Sequence, residues 1–241
     1  MTNLLYLVRH GENRANITKE FSHRLVDYPL TPKGILQAQQ TAVFFRDKDI
    51  HEIYSSPLKR ARQTAEIIAV ELKLPVTVVE DFREINVGDL EGKPPTAENW
   101  SFFFSIVESW FSGTYDVRFP GGEDYYGLWH RMRAGIEQIV ADKTGRNIII
   151  VGHGGAFIVA TRELCSESDM SRLRGGENHN CSITQIAAAL REGRLVGHLI
   201  EWASHAHLTG AAAHLIPGTP ELENLREVDT LARGEQPQPM G

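Results

Sequence analysis

Leu4-Leu5-Tyr6-Leu7-Val8-Arg9-His10-Gly11 is the stretch on which the fold turns. Apolar residues without polar alternation mark a central strand covered on both faces. The run stops abruptly at Arg9-His10-Gly11, so these polar groups sit at the strand's carboxyl end. Asn147 to Val151 repeats the pattern. It ends on Gly152-His153-Gly154-Gly155, a tight turn leading into a helix from Phe157 to Leu164.

Between these strands the chain alternates. Thr31 as N-cap and Pro32 at the first helical position predict a helix running to Phe45. A strand follows at His51 to Ser55. Ser56-Pro57 repeats the cap-plus-proline signal and predicts a helix through Ala61, Ala65, Ile68 and Leu72, with Arg60 in its first turn. Val76 to Val79 reads as another strand, with Glu84 just beyond it in Asp81-Phe82-Arg83-Glu84-Ile85. Ser182 to Leu190 and Arg194 to Trp202, joined around Glu192-Gly193, read as a hairpin that completes or edges the sheet. Strands alternating with helices predict an α/β/α sandwich of three layers with a mostly parallel central sheet. Ligands of such sheets bind beyond the carboxyl ends of the strands. Arg9 with His10, Arg60, Glu84 and His153 are all delivered there.

The 241 residues, 41% of them hydrophobic, suffice for one large core. A net charge of -6 without any Lys/Arg-rich run argues against nucleic acid or anionic lipid as a partner. The apolar start is too short for a membrane span and lacks the cationic segment of a secretory signal. Cys165 and Cys181 are the only cysteines and form no CxxC pair, which points to a reducing cytosol. A disulfide between them is the alternative. One catalytic domain is expected over residues 1–205, with an aromatic-rich lid insertion at 93–119. From 206 to 241 the pattern weakens into a Gly/Pro-punctuated tail, with one short helix expected at Pro220 to Ala232. Its Leu208/Leu215 patch would cover either the chain's own core or a second subunit, the latter making a homodimer.

Two arginines and two histidines at one sheet edge suit a phosphoryl group, whose oxygens take fork-like hydrogen bonds from guanidinium. A neutral imidazole can attack phosphorus directly while the cations stabilise charge on the transferring oxygens. Such chemistry calls for no metal and no cofactor. The leaving alcohol needs a proton, and Glu84 is the best-placed carboxyl to supply it.

The ordered set of Leu7-Val8-Arg9-His10-Gly11-Glu12 with Asn16, Leu30-Thr31 through Gly34, Ser55-Ser56-Pro57-Leu58 with Arg60-Ala61, Glu84 with Gly88 and Glu91-Gly92, and Val151-Gly152-His153-Gly154-Gly155 resembles the histidine phosphatase superfamily, also called phosphoglycerate mutase-like. The resemblance spans roughly the first two hundred residues, as a single domain should. It implies His10 as the phosphate-accepting nucleophile and Arg9, Arg60 and His153 as phosphate ligands. Glu84 is implied as proton donor and then as base toward water, Asn16 as a side chain near the phosphate, and Gly154 as backbone beside the same pocket. Glu12 and Glu91 match as supporting residues.

Trp100, Phe103, Phe104, Val107, Trp110 and Phe111 recur at helical spacing in the segment where this family inserts the cover of its active site. Packing explains the stripe equally well. The mutase branch carries a basic-rich insertion here, whereas Pro94 to Phe119 has only Arg118. Phe119-Pro120-Gly121-Gly122-Glu123 resembles the turn of the phosphatase branch. The expectation is a phosphomonoesterase for a small-molecule phosphate ester, one with a sizeable or partly apolar leaving group. The alternatives are a phosphoglycerate mutase-type transferase and a non-catalytic phospho-ligand binding module. His205-x-His207 has metal-like spacing, but nothing near it in sequence completes a site.

Overall fold

The computed structural model describes residues 2–165, 173, 177–223 and 225. Six strands form one sheet in the order β3-β2-β4-β1-β5-β6. They are β1 (Asn3–Arg9), β2 (Glu52–Ser55), β3 (Val76–Val78), β4 (Asn147–Gly152), β5 (Ile183–Arg191) and β6 (Arg194–Ser204). β3, β2, β4 and β1 are mutually parallel, whereas the β5–β6 hairpin joins β1 antiparallel through β5. The sheet is therefore mostly parallel, as the alternating pattern predicts.

The continuous apolar runs are explained by burial on both faces. Leu5, Leu7, Ile148 and Ile150 point into a core shared with α5 (Tyr125–Val140) and α6 (Gly154–Leu164). Their neighbours Tyr6, Val8, Ile149 and Val151 point to the opposite face. There they meet Ala42 and Phe45 of α2 (Pro32–Phe45) and Ala61, Ala65 and Ile68 of α3 (Lys59–Leu72). Each strand thus feeds two layers with alternate residues. α1 (Arg14–Thr18) is a short turn after β1, and α4 (Ala97–Phe111) carries the aromatic stripe.

Thr31 caps α2 as expected, its Oγ1 accepting from the Gly34 N–H at 3.0 Å. The signal at Ser56-Pro57 is read differently by the structure. Ser56 still belongs to the sheet edge, its N–H donating to the Val151 carbonyl at 2.9 Å. α3 therefore starts at Lys59, with Leu58 at the cap position and no side chain of its own to fill it. Asp27, 32 residues earlier, accepts from the Lys59 N–H instead at 2.9 Å. α6 likewise begins before the expected Phe157, with His153 as its N-cap and the two glycines already helical.

The first part of the tail docks on its own chain. Residues Gly210–Ala213 form a 3-10 turn against α2, where Gln37 Nε2 donates to the Ala212 carbonyl at 3.1 Å. Leu208 and Ala212 are buried with Leu30, Ala38 and Cys181, and Leu215 packs beside them. The apolar tail patch thus covers this chain's core. Most of the helix expected at Pro220–Ala232 lies outside the described residues. His207 Nε2 meets Thr41 Oγ1 at 2.9 Å and its ring packs on Phe44, so half of the H-x-H pair serves this docking. Cys165 and Cys181 are both buried and no disulfide joins them. Among the described residues no helix is long and apolar enough to cross a membrane.

Candidate active site

The carboxyl ends of β1 and β4 lie side by side, Arg9 in register with Gly152. That register brings His10 and His153, each one residue further on, to a ring separation of 5.2 Å. Arg60 arrives from the first turn of α3, one strand over. Its Nε–H donates to His10 Nε2 at 3.1 Å. On the other side of the ring, His10 Nδ1 lies 2.7 Å from the Gly11 carbonyl.

These two contacts fix the state of His10. A guanidinium only donates, so Nε2 carries a lone pair; a carbonyl only accepts, so the proton is on Nδ1. Burial, then the charges of Arg60 and Arg9, hold the imidazole well below its ordinary 6.5. His10 is therefore neutral, with its nucleophilic nitrogen turned toward a guanidinium. His153 is fully buried and held well below 6.5, by burial first and then by Arg60. Its Nε2 meets Ser56 Oγ at 2.8 Å, and its Nδ1 is buried without a protein partner.

Arg60 is locked by residues that no sequence signal marks. Its Nη1 donates to Ser22 Oγ at 2.8 Å and its Nη2 to the Ser22 carbonyl at 2.9 Å. Asp27 stands 3.8 Å from Nη1. Desolvation lowers the guanidinium to about 10, still charged at neutral pH. The loop bearing Ser22 is itself pinned. One carboxylate oxygen of Glu91 accepts the successive N–H groups of His23, Arg24, Leu25 and Val26 at 2.6, 2.5, 2.8 and 3.2 Å. The supporting role expected of Glu91 takes this form.

Arg9 is buried, donates through Nη1 to the Asn178 carbonyl, and leaves its Nε without a partner. Glu84 faces it from the other side. Its Oε1 accepts from Ile85 and Ala156 N–H, both at 2.9 Å, and its Oε2 from Gly155 N–H at 3.2 Å. The carboxylate thus rests on the N-terminus of α6, where backbone donors converge. Arg131 of α5 fixes the loop behind it, donating to the carbonyls of Asp81, Arg83 and Glu84 at 2.7, 2.8 and 2.9 Å. Close packing explains Gly155, since a Cβ there would stand 2.9 Å from Glu84 Oε1 and 2.6 Å from Ile85 Cδ1.

Arg9, His10, Asn16, Arg60, Glu84 and Gly154 all line one cleft of about 580 Å³. His153 is not among the lining residues; its buried ring lies 5.2 Å from that of His10. Asn16 Oδ1 accepts from Asn180 Nδ2, which also donates to the His10 carbonyl, both at 3.0 Å. Asn13, Asn178 and Asn180 escaped the sequence reading. Asn13 is the N-cap of α1, a signal that Asn13-x-x-Asn16 carries in retrospect, and its Nδ2 is buried without a partner. Asn178 and Asn180 precede β5, which runs against the parallel strands, so its beginning lies at their carboxyl ends. Aromatics of α4 reach the cleft as well: Trp100, Phe103, Phe104 and Phe111 are among its lining residues.

Buried side-chain nitrogens of Arg9, Asn13 and His153 have no protein partner. Native proteins rarely leave such groups unsatisfied, and an oxyanion in the cleft that Arg9 and Asn13 line would accept from their N–H groups beside a neutral imidazole. The arrangement can bind a phosphoryl group and offer it a nitrogen nucleophile.

The family model of the histidine phosphatase superfamily (branch 1) matches residues 5–200. A probable phosphoglycerate mutase, GpmB, of Yersinia pestis (strain Pestoides F) is 32% identical, covering 91% of this chain and 98% of its own. Among solved structures, Bacillus stearothermophilus YhfR superposes with a TM-score of 0.70 at 26% identity, covering 85% of this chain and 98% of its own. A phosphoserine phosphatase variant from Entamoeba histolytica, solved with phosphoserine, gives 0.68 at 26%, covering 86% and 100%. With the motifs in order, the sheet in place and the family match spanning most of its length, the chain belongs to the histidine phosphatase superfamily, branch 1.

Proposed function

We propose that this protein is a metal-independent phosphomonoesterase that hydrolyses a small-molecule phosphate ester through a phosphohistidine on His10. The observation that carries the proposal is the state of His10, neutral, with the Nε2 lone pair directed at a guanidinium in a cleft of unpartnered donors. On binding, phosphoryl oxygens are stronger acceptors for Arg60 than an imidazole nitrogen, so the lone pair is released as the substrate docks. Arg9, Arg60 and Asn16 take the phosphoryl oxygens beside the Gly154 backbone, and His153, whose buried Nδ1 has no protein partner, is the further phosphate ligand next to His10. His10 Nε2 then forms a bond to phosphorus as the bond to the ester oxygen breaks. Glu84, which ends each turnover carrying the proton it takes from water, gives that proton to the ester oxygen, and the alcohol leaves. In the second half, Glu84 takes a proton from water while the water oxygen attacks phosphorus and the N–P bond breaks. Inorganic phosphate departs and His10 is neutral again.

The catalytic unit in this reading is residues 1–205, with 93–119 as its lid and the tail strapped beside it. Two buried cysteines without a disulfide fit a reducing cytosol. The test is hydrolysis of 4-nitrophenyl phosphate in excess chelator by the wild type and by His10→Ala. Turnover by the wild type alone, with an acid-labile, base-stable phosphoenzyme on rapid quench, is the expected result. Equal activity in both proteins would overturn the mechanism.

The 32% identity to probable phosphoglycerate mutases supports a second reading, phosphoryl transfer between positions of one acid. It predicts isomerisation of 3-phosphoglycerate when a bisphosphorylated primer is supplied.

A further inference from the structure

Resting on the phosphomonoesterase reading, we infer that the substrate is the monoester of an uncharged alcohol bearing an aromatic or similarly large apolar group. The cleft is divided by chemistry. Arg9, Arg60 and the imidazole of His10 supply its charged and nucleophilic groups, whereas Phe103, Phe104 and Phe111 of α4 and Ile158 of α6 supply apolar lining. About 580 Å³ is room for a drug-sized ligand and far exceeds what a three-carbon phosphoacid fills.

The aromatic wall is not consumed by the protein's own core. Phe103, Phe104 and Phe111 are each only partly buried. They are nevertheless held rigidly. Phe103 stacks on Phe119 at 5.5 Å, and Phe104 packs on Trp100 at 5.6 Å. Phe111 carries the Arg162 guanidinium 5.1 Å from its ring centre. A ring or branched chain entering the cleft meets preorganised faces and loses little entropy in fitting them.

Charge points the same way. Three cations line the cleft, and two of them, Arg9 and Arg60, are committed at the phosphoryl end. The third, Lys19, has its ammonium tied to the Pro217 carbonyl at 2.6 Å. The lining carboxylates away from Glu84 are Glu20 and Glu177. Among the described lining residues, a second phosphate or carboxylate on the leaving group would lose its hydration to face Glu20 and Glu177, with the Lys19 ammonium as the one cation outside the phosphoryl end.

The experiment compares kcat/KM for 3-phenylpropyl phosphate, phosphoserine and 3-phosphoglycerate in excess chelator. All three leaving groups are alkanols, so their intrinsic reactivities are close. We expect 3-phenylpropyl phosphate to be preferred by about tenfold or more, the scale that burial of an aromatic ring supplies. Phe104→Ala should reduce that preference severalfold. Glu177→Lys, an exposed change that leaves the core intact, should reduce it from the other side by speeding phosphoserine hydrolysis. Phosphoserine or 3-phosphoglycerate hydrolysed as well as the phenylpropyl ester sinks the inference and leaves the phosphatase reading standing. Failure to hydrolyse any of the three, or 4-nitrophenyl phosphate, sinks both.

Discussion

His10 and His153 are buried as neutral imidazoles, and the thermodynamic consequence is a stability that declines as the solution is acidified. Both groups lie well below 6.5 in the folded chain, from burial first and then from neighbouring positive charge. The unfolded chain binds a proton at each near pH 6.5, whereas the folded chain does not. Stability is therefore fully present above 6.5 and is lost as pH falls, until the folded imidazoles themselves titrate. Between pH 7.5 and 5.5 each such histidine costs on the order of 1 kcal/mol. The assay is urea denaturation at the two pH values, for the wild type and for His10→Asn. Asparagine keeps an acceptor for Arg60 but cannot titrate, and all other groups cancel in the comparison. The variant should lose less stability than the wild type over this range, by on the order of 1 kcal/mol. Equal losses would refute the assignment of His10 as a neutral, desolvated group. The same state has a kinetic signature: the acid limb of kcat/KM, which reports the free enzyme, should lie below pH 6.5.

Glu91→Ala orphans four consecutive amides in the loop that holds Arg60. We expect kcat to fall about ten- to a hundredfold with a smaller change in KM, and Glu91→Gln, which keeps an acceptor oxygen, to recover most of it. Gly34→Ala would help an ordinary helix by about 1 kcal/mol. Here its Cβ would stand 2.1 Å from the Glu12 carbonyl oxygen. Thermal unfolding should show a loss of about 2–3 kcal/mol instead. His207, lowered to about 4 by burial, fastens the tail to α2. Its depressed value means docking is strongest above pH 6.5 and weakens as pH falls toward 4. Limited proteolysis near residue 210 should be faster at pH 5 than at pH 7.5, by a factor that His207→Gln abolishes.

The strands, the helices from Pro32, Lys59 and Gly154 that alternate with them, and the residues at the strand ends are legible in the sequence. Those features are local: an unbroken apolar run from Leu4 to Val8 has no stable alternative to a doubly covered strand. Because the parallel strands all end on one edge, placing Arg9, His10, Arg60, Glu84 and His153 together needed only the topology. What sequence could not decide is everything that depends on a partner distant along the chain. Ser56 looks like a helix cap, yet it stays in the sheet edge and touches His153 because Asp27 caps α3 from another loop. Ser22, Glu91 and Arg131 hold Arg60 and Glu84 in place through backbone groups, contacts that leave no pattern in the residues that make them. The protonation of His10 is also a tertiary property. It follows from burial and from the charges of Arg60 and Arg9, which come together around the ring only in the folded chain.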